Sequence, residues 1–118
     1  MSLENKTILV TGGAGFIGSN IIEYLLKKNN RITCLDNFTT GKRENIEIFL
    51  SNPHFKFIEG DITNLNDCNL ACQGVDIILH QAALGSVPRS IENPLKTNDV
   101  NINGFLNILW SAKKNNIK

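Results

Sequence analysis

A glycine-rich segment constrains the fold of this chain more than any other part of its sequence. The segment reads Thr11-Gly12-Gly13-Ala14-Gly15-Phe16-Ile17-Gly18. It follows the β-branched apolar run 7–11, which predicts a buried parallel strand, and it opens the run 15–29, whose apolar residues repeat at helical spacing. Glycines at such a junction allow a tight turn and let a pyrophosphate approach the backbone at the helix N-terminus. The segment therefore predicts a dinucleotide-binding loop rather than a plain strand-to-helix turn.

Short apolar runs and longer amphipathic runs alternate along the rest of the chain. The predicted strands cover 7–11, 31–35, 55–58 and 75–80. The predicted helices cover 15–29, 44–50, a segment capped by Thr63 or Asn64 that runs through 72, and 99–114. This β-α alternation predicts an α/β fold, namely the N-terminal part of a Rossmann doubly wound parallel sheet with about four strands and four helices. The last helix carries Ile102, Leu106 and Leu109 on one face.

The length of the chain limits how much of such a fold it contains. A doubly wound sheet usually has more strands than 118 residues provide. We therefore expect residues 1–118 to form a partial Rossmann domain, with the rest of that domain and a substrate domain outside the chain. In the order 3-2-1-4-5-6 the fourth strand would become an exposed apolar edge, which would pair with further chain or with another subunit.

Two aspartates stand at the ends of predicted strands. Asp36 closes the second strand, where a carboxylate can accept hydrogen bonds from the adenosine ribose hydroxyls. The same carboxylate would repel a 2′-phosphate, so we expect NAD rather than NADP. Asp61 closes the third strand and is expected near the adenine. The alternatives are an ordinary loop aspartate at 36 and a turn or helix-capping aspartate at 61.

Charge and cysteine content exclude several classes of function. The net charge of +1 gives no reason to expect a nucleic acid or membrane partner, and no apolar run approaches the roughly 18 residues of a membrane span. The three cysteines, Cys34, Cys68 and Cys72, do not suggest a disulfide framework or a metal site. We expect buried free thiols, no metal and, in the absence of a recognisable signal peptide, a cytoplasmic protein.

With these residues in view, the chain resembles the extended short-chain dehydrogenase/reductase family of NAD-dependent epimerases and dehydratases. The glycine segment is similar to that family's TGxxGxxG, and 36–41 and 61–62 resemble its ribose loop and adenine-edge pair. The segment 80–83 resembles the strand end beneath the cofactor, and 101–104 resembles a helix start whose first Asn braces the site. The cofactor-binding residues that the resemblance implies are Gly12, Gly15, Phe16, Ile17, Gly18, Asp36, Asn37, Thr40, Gly41, Asp61, Ile62, Gln81, Ala82, Ala83 and Asn101.

The segment 83–90 is the most specific part of the resemblance. It is similar to the corresponding segment of UDP-N-acetylglucosamine 4-epimerases, which implies that Gly85, Ser86 and Ser90 lie beside the sugar of a UDP-sugar substrate. The implied reaction passes through a 4-keto sugar, with UDP-N-acetylglucosamine or UDP-glucose as substrate and a homodimer as the full-length state. The alternative for the segment 83–90 is a connecting loop shaped by its proline, without substrate contact. The alternative for the enzyme is a related 4,6-dehydratase or decarboxylase with similar cofactor loops.

The family's catalytic Tyr-x-x-x-Lys motif follows a fifth strand and has no counterpart here. Tyr24 to Lys28 spells the motif, but it lies within the first predicted helix among packing residues, so we interpret the match as chance. We therefore predict no catalytic residue in this chain and no activity of these residues alone. Two hypotheses remain. The chain is either part of a nucleotide-sugar epimerase or a non-catalytic NAD-binding module.

Overall fold

Strands and helices alternate along the chain as the sequence predicts. The structure is a computed structural model that describes residues 4–38, 41–82, 95 and 99–115. Its strands are β1 (Thr7–Thr11), β2 (Arg31–Asp36), β3 (Phe55–Glu59) and β4 (Ile77–His80). Its α-helices are α1 (Phe16–Leu26), α2 (Leu65–Ala71) and α3 (Gly104–Lys114), the last preceded by a π-helical turn at Asp99–Asn103.

The described strands form one parallel sheet in the order β3-β2-β1-β4. Alternate residues of β1 point to opposite faces, so Ile8 and Val10 enter one core and Leu9 enters the other. The first core also contains Ile22 and Leu25 of α1, and the second contains buried residues of α2 and α3. Helices therefore cover both faces, and the predicted doubly wound parallel sheet is confirmed for this N-terminal part.

Several element boundaries differ from the predicted ones. Helix α1 ends at Leu26 instead of 29, because buried Asn30 donates its side-chain amide to the Leu25 carbonyl and Asn29 turns the chain at φ 61°. The predicted helix 44–50 consists of two 3₁₀ turns, Arg43–Asn45 and Glu47–Phe49. Three-residue turns place Ile46 and Phe49, which are three apart, together in the core.

Of the later elements, β4 and α3 begin further along the chain than predicted, and α2 begins as predicted. Strand β4 starts at Ile77, because the Asp76 carboxylate accepts the N–H of Thr7 at 2.9 Å before the ladder begins. Asn64 is the N-cap of α2, and its side chain accepts the N–H of Asp67, which fits the predicted start of that helix. The helix predicted from residue 99 becomes α-helical only at Gly104, after the π-helical turn.

Helix α3 exposes the apolar face that the sequence defines. Ile102, in the preceding turn, is 53% exposed, and Leu106 and Leu109 are 53% and 55% exposed. The residues that α3 buries against α2 and the sheet are Gly104, Ile108 and Ser111. Glycine at 104 allows this close packing, because a Cβ there would overlap the side chain of Ile62 unless that side chain moved. The close contact holds α3 against the sheet.

Candidate cofactor site

The predicted site residues collect at the carboxyl ends of the strands. The glycine segment follows β1, Asp36 ends β2, and Gln81 and Ala82 follow β4. The strand order reverses between β1 and β4, since the chain leaves β1 towards β2 and later returns on its other side. In open α/β sheets, ligands bind in the crevice outside the strand ends at such a reversal.

The fold itself requires glycine at positions 12 and 18. Gly12 has φ +69°, and a Cβ there would lie 2.8 Å from the backbone nitrogen of Ala82. A Cβ at Gly18 would lie 2.5 Å from the Gly12 carbonyl oxygen and 2.8 Å from the Gly13 Cα. These close contacts seat the first turn of α1 against the end of β1. The two glycines are therefore explained without a ligand.

Gly15 is different, because the described residues crowd it less than they crowd Gly12 and Gly18. Its φ of −74° is open to any residue, and among the described residues a Cβ there would meet the Gly12 carbonyl oxygen at 3.3 Å, a tight contact that a small shift of the loop would relieve. The helix ladder starts where the Ser19 N–H donates to the Gly15 carbonyl at 2.9 Å, so the amides of 16–18 have no partner within α1. A glycine at 15 and amides that have no partner within the helix N-terminus fit a phosphate group.

Asp36 connects the glycine loop to the loop that follows β2. One carboxylate oxygen accepts the Ala14 N–H at 2.9 Å, and the other accepts the Phe38 N–H at 2.7 Å. The residue is 8% exposed. Because each carboxylate oxygen can accept a second hydrogen bond, this arrangement leaves acceptor capacity for ribose hydroxyls. Asp36 therefore also has a structural role that its position in the sequence does not reveal.

The carbonyl of Ala14 fastens the segment 41–45 to the glycine loop. It accepts the Lys42 N–H at 3.0 Å and the Asn45 side-chain amide at 2.8 Å. Gly41 passes so close that a Cβ there would lie 2.7 Å from the Ala14 carbonyl carbon. Sequence reasoning missed Asn45, since nothing near it in the sequence points to residue 14. It identified Gly41 only through the family resemblance.

At the end of β3, Asp61 organises the next turn. Its Oδ1 accepts the N–H and the hydroxyl of Thr63 at 2.9 and 2.8 Å, and its Oδ2 accepts the Asn37 side-chain amide at 3.2 Å. Ile62 is 5% exposed and belongs to the core beneath α3. Its carbonyl accepts the Asn107 side-chain amide at 2.9 Å. Any contact of Ile62 with a cofactor is therefore left to its main chain.

A model of the NAD-dependent epimerase/dehydratase family matches residues 8–118. The chain belongs to this family. Its resemblance to that family, based on the glycine segment and the strand ends, is confirmed. NAD is the cofactor of the family, so the predicted cofactor is confirmed as well.

Curated members of the family match most of this chain and a minor part of their own length. The chain is 42% identical over 111 residues to a putative UDP-glucose 4-epimerase of Methanocaldococcus jannaschii, which covers 93% of this chain and 35% of that protein. It is 38% identical over 111 residues to UDP-glucuronic acid decarboxylase 1 of Danio rerio, which covers 94% of this chain and 25% of that protein. The chain thus spans about a third or less of these relatives.

Solved structures of the same family share the fold. A UDP-N-acetylglucosamine 4-epimerase from Methanobrevibacter ruminantium, in complex with UDP-N-acetylmuramic acid, superposes with a TM-score of 0.85 at 38% identity. The match covers 98% of this chain and 36% of that one. The UDP-glucose 4-epimerase of Thermus thermophilus, in complex with NAD, has a TM-score of 0.84 at 37% identity, over 95% of this chain and 35% of that one.

Within this epimerase/dehydratase chain, some expected site residues cannot be placed. Thr40 and Ala83 of the cofactor set, and Gly85, Ser86 and Ser90 of the substrate set, lie outside the described residues. Of the remaining cofactor set, Phe16, Ile17, Gln81 and Asn101 have exposed side chains, and Ala82 is half-buried. Contact of each of these residues with NAD or substrate stays a prediction.

The cysteines are buried free thiols, as predicted. Burial is the main cause that raises the pKa of Cys34 and Cys68 to about 12 and that of Cys72 to about 11. Thiols held protonated in this way are poor nucleophiles and poor metal ligands. Among the residues that the structure describes, no cluster of potential metal ligands occurs and no helix is long and apolar enough to cross a membrane.

The chance Tyr-x-x-x-Lys match begins on α1, away from the carboxyl ends of the strands. Tyr24 is 59% exposed, and the Lys28 ammonium stands 5.7 Å from the centre of its ring. Eight residues of helix separate Tyr24 from Phe16, which corresponds to about 12 Å along the axis. This position supports the interpretation that Tyr24 is a surface residue, and its lack of a catalytic role stays a prediction.

Proposed function

We propose that this chain holds NAD at the carboxyl edge of its sheet. The observation that carries the proposal is Gly15, whose φ is ordinary and where the nearest described atom to an added Cβ, the Gly12 carbonyl oxygen, lies at 3.3 Å, so the fold demands glycine there less than at 12 and 18. A pyrophosphate approaching the amides of 16–18 supplies a further need for glycine, because a methyl group at 15 would occupy its path. The positive end of the α1 dipole favours the same anion.

The other strand ends would hold the remaining parts of the dinucleotide. The Asp36 carboxylate, already fixed by two backbone N–H groups, is oriented to accept ribose hydroxyls with its remaining lone pairs. The Asn37–Asp61 contact lies at the end of the neighbouring strand, on the side expected for the adenine. Gln81, Ala82 and Ala83 would lie beneath the cofactor, and Asn101 would brace the site. This assignment keeps the whole predicted cofactor set.

For the whole protein we propose a UDP-sugar 4-epimerase that acts on UDP-N-acetylglucosamine or UDP-glucose through a 4-keto intermediate. The named epimerases among its relatives support this reaction. NAD supplies the hydride acceptor and donor. The residues of this chain bind and orient, with Gly85, Ser86 and Ser90 beside the sugar. The proton-transfer groups would come from outside these residues, so we expect the 118-residue chain to be inactive alone.

The surface of the chain supports proposals about its assembly. Residues 1–118 would be part of a larger NAD-binding domain, with a substrate domain elsewhere in the protein. The half-buried strand β4 and the exposed apolar side chains of α3 suit packing against further protein. We propose a homodimer as the full-length state. We also propose the cytoplasm as its location, because three free buried thiols are typical of a reducing compartment.

Cofactor choice tests the proposed role of Asp36. Titration of the full-length protein should show at least about tenfold tighter binding of NAD than of NADP, because a hydrogen bond to a charged group contributes roughly 1.5–3 kcal/mol. Lys42 follows Gly41 directly against the glycine loop, so Lys42→Ala and Arg43→Ala are the matched controls and should sharpen the preference. Equal affinities for the two cofactors, or unchanged NAD binding by Asp36→Ala, would contradict the proposal.

Product analysis tests the reaction. With UDP-N-acetylglucosamine or UDP-glucose, the full-length protein should release the C4 epimer without net consumption of NAD. The decarboxylase named among the relatives favours a second candidate, which would release carbon dioxide from UDP-glucuronic acid. A 4,6-dehydratase would instead accumulate a 4-keto-6-deoxy sugar. NAD binding without turnover of any of these sugars would favour the non-catalytic module.

A further inference from the structure

His80, the last residue of β4, makes a side-chain contact that the proposed function does not use. Its Nδ1 lies 2.7 Å from the hydroxyl oxygen of Thr11, the residue that faces it across the β1–β4 register. Thr11 is fully buried. The other side of the imidazole packs on Phe105 of α3, with 5.7 Å between the ring centres. The ring is therefore held between β1 and α3 at the floor of the cofactor site.

The Thr11 hydroxyl also accepts two backbone hydrogen bonds. The Gln81 N–H donates to it at 3.0 Å while also donating to the Thr11 carbonyl, and the Ala82 N–H donates to it at 3.2 Å. A hydroxyl has two lone pairs and one hydrogen. Because both lone pairs are engaged, the hydrogen is the remaining means of bonding to His80. Nδ1 must then be the acceptor, which places the imidazole proton on Nε2.

This contact determines where the chain runs after β4. The peptide group that joins Gln81 to Ala82, whose N–H is one of these two donors, lies directly against Gly12: a Cβ at Gly12 would lie 2.9 Å from the Gln81 carbonyl carbon and 2.8 Å from the Ala82 nitrogen. The Thr11 hydroxyl therefore holds the segment 81–82 against the glycine loop through these two hydrogen bonds. His80 sets the direction of that hydroxyl.

We propose that His80 is a positioning residue of the cofactor site, which in its neutral Nε2–H form orients the Thr11 hydroxyl and so holds 81–82 beneath the glycine loop. The proposal rests on the proposed role of this edge in binding NAD. Protonation of Nδ1 would turn a donor towards a hydroxyl that already accepts two donors. The Thr11 hydroxyl would have to rotate, and the segment 81–82 would lose a partner. NAD affinity should fall as a result.

The surroundings of the ring keep it neutral. Burial lowers the pKa of His80 below its ordinary value of 6.5. Strand β1 has no titratable side chain, and the cations of α3 that the structure describes, Lys113 and Lys114, stand in the last turn of that helix, far from Phe105. Asp36 lies two strands away, about 10 Å, at the same edge. NAD affinity should therefore be constant at neutral pH and decrease as the pH falls through the lowered pKa.

Two substitutions separate the hydrogen bond from the packing. His80→Asn retains an acceptor near the position of Nδ1 and loses the ring, whereas His80→Phe retains the ring contact with Phe105 and loses the acceptor. In the full-length protein, His80→Asn should bind NAD within about threefold of wild type at neutral pH and lose the decline at low pH. His80→Phe should bind roughly three- to tenfold more weakly, as expected for one lost hydrogen bond. Equal binding by the two variants, or a pH profile that His80→Asn leaves unchanged, would overturn the proposal.

Nitrogen NMR of the wild-type protein tests the tautomer without a variant that must bind NAD. In protein labelled with [¹⁵N]histidine, the imidazole signal that disappears in His80→Asn is that of His80. We expect a protonated Nε2 and an unprotonated Nδ1 at neutral pH, and a proton on Nδ1 would overturn the proposal even if NAD binds. Failure of the full-length protein to bind NAD at any pH would instead reject the proposed function, together with the positioning role that rests on it.

Discussion

The β1–β2 half of the described structure and its β4–α3 half differ in how completely they are buried and hydrogen-bonded. Strands β1 and β2 are buried along nearly their whole length, and the loops at their carboxyl ends are fixed by backbone hydrogen bonds to Asp36 and Ala14. All four residues of β4 are only half-buried. Helix α3 leaves several large apolar side chains about half exposed, among them Leu106, Leu109 and Trp110.

This difference separates two kinds of surface. At the carboxyl ends of β1 and β2, Gly15 lies beside helix amides that have no partner within α1, so this surface suits a charged ligand of defined shape. On the β4–α3 side, the remaining surface is apolar and broad, which is typical of packing against protein. The first surface should therefore respond to single-atom changes and the second should tolerate polar substitutions at little cost to folding.

The largest expected effect is that of a methyl group in the tight β1–α1 junction. Gly18→Ala would place a Cβ 2.5 Å from the Gly12 carbonyl oxygen, so the free energy of unfolding should fall by about 1–3 kcal/mol or more. The control is Glu23→Ala, an exposed position of the same helix whose ion pair with Lys27 should contribute less than about 1 kcal/mol. Denaturant unfolding of the full-length protein measures both. Equal stability of the two variants would contradict the tight packing of the β1–α1 junction.

On the β4–α3 side we expect a change in association rather than in folding. The 118-residue chain should self-associate through its apolar α3 face and β4 edge. Leu106→Gln combined with Leu109→Gln should weaken that association, because both side chains are about half exposed. Size-exclusion chromatography with light scattering gives the mass of each species. A wild-type chain that is already a cooperatively melting monomer would show that this surface needs no covering.

The smallest effect concerns a buried hydroxyl of α3. The Ser111 side-chain oxygen is buried without a hydrogen-bond partner among the described residues. Since an unsatisfied buried polar group is unfavourable, Ser111→Ala should leave the free energy of unfolding unchanged or raise it by up to about 1 kcal/mol. Ser19→Ala, which removes a hydroxyl that donates to the Phe16 carbonyl, is the matched control and should not stabilise. A clear loss of stability in Ser111→Ala would reveal a partner for this hydroxyl.

Local pattern predicted most of the fold. The glycine segment, the β-branched runs and their alternation with amphipathic runs predicted a doubly wound parallel sheet and placed Asp36 at a strand end; the usual strand order of that fold then includes the observed β3-β2-β1-β4. The boundaries were less predictable. The 3₁₀ turns at 43–49 and the early end of α1 depend on the core and on Asn30, which helical spacing alone does not include.

Contacts between residues that are far apart in the sequence could not be predicted from it. The Asn45 amide on the Ala14 carbonyl and the His80 imidazole on the Thr11 hydroxyl join residues that only the completed sheet brings together. The resemblance to the family pointed to Ile62 as a cofactor residue, but its side chain also fills the core against Gly104. Motifs thus located the site, while the hydrogen bonds that shape it required the fold.

The central claim is that the carboxyl ends of β1 and β2 bind a dinucleotide. Two glycine substitutions, Gly15→Ala and Gly74→Ala, test this claim most directly. Gly15 has an ordinary φ, and its added Cβ would lie 3.3 Å from the Gly12 carbonyl oxygen, whereas Gly74 has φ +72° and no described atom within 4 Å of an added Cβ. Gly15→Ala should therefore keep the free energy of unfolding within about 1 kcal/mol. Its NAD affinity should fall at least about tenfold, because the methyl group displaces charged hydrogen bonds.

Gly74→Ala should show the opposite pattern in the full-length protein. Its left-handed backbone should make the variant about 1–2 kcal/mol less stable, and its NAD affinity should equal that of wild type. Calorimetric titration with NAD and denaturant unfolding of both variants give the four values. An NAD affinity that Gly15→Ala leaves unchanged, or that falls equally in both variants, would contradict the account.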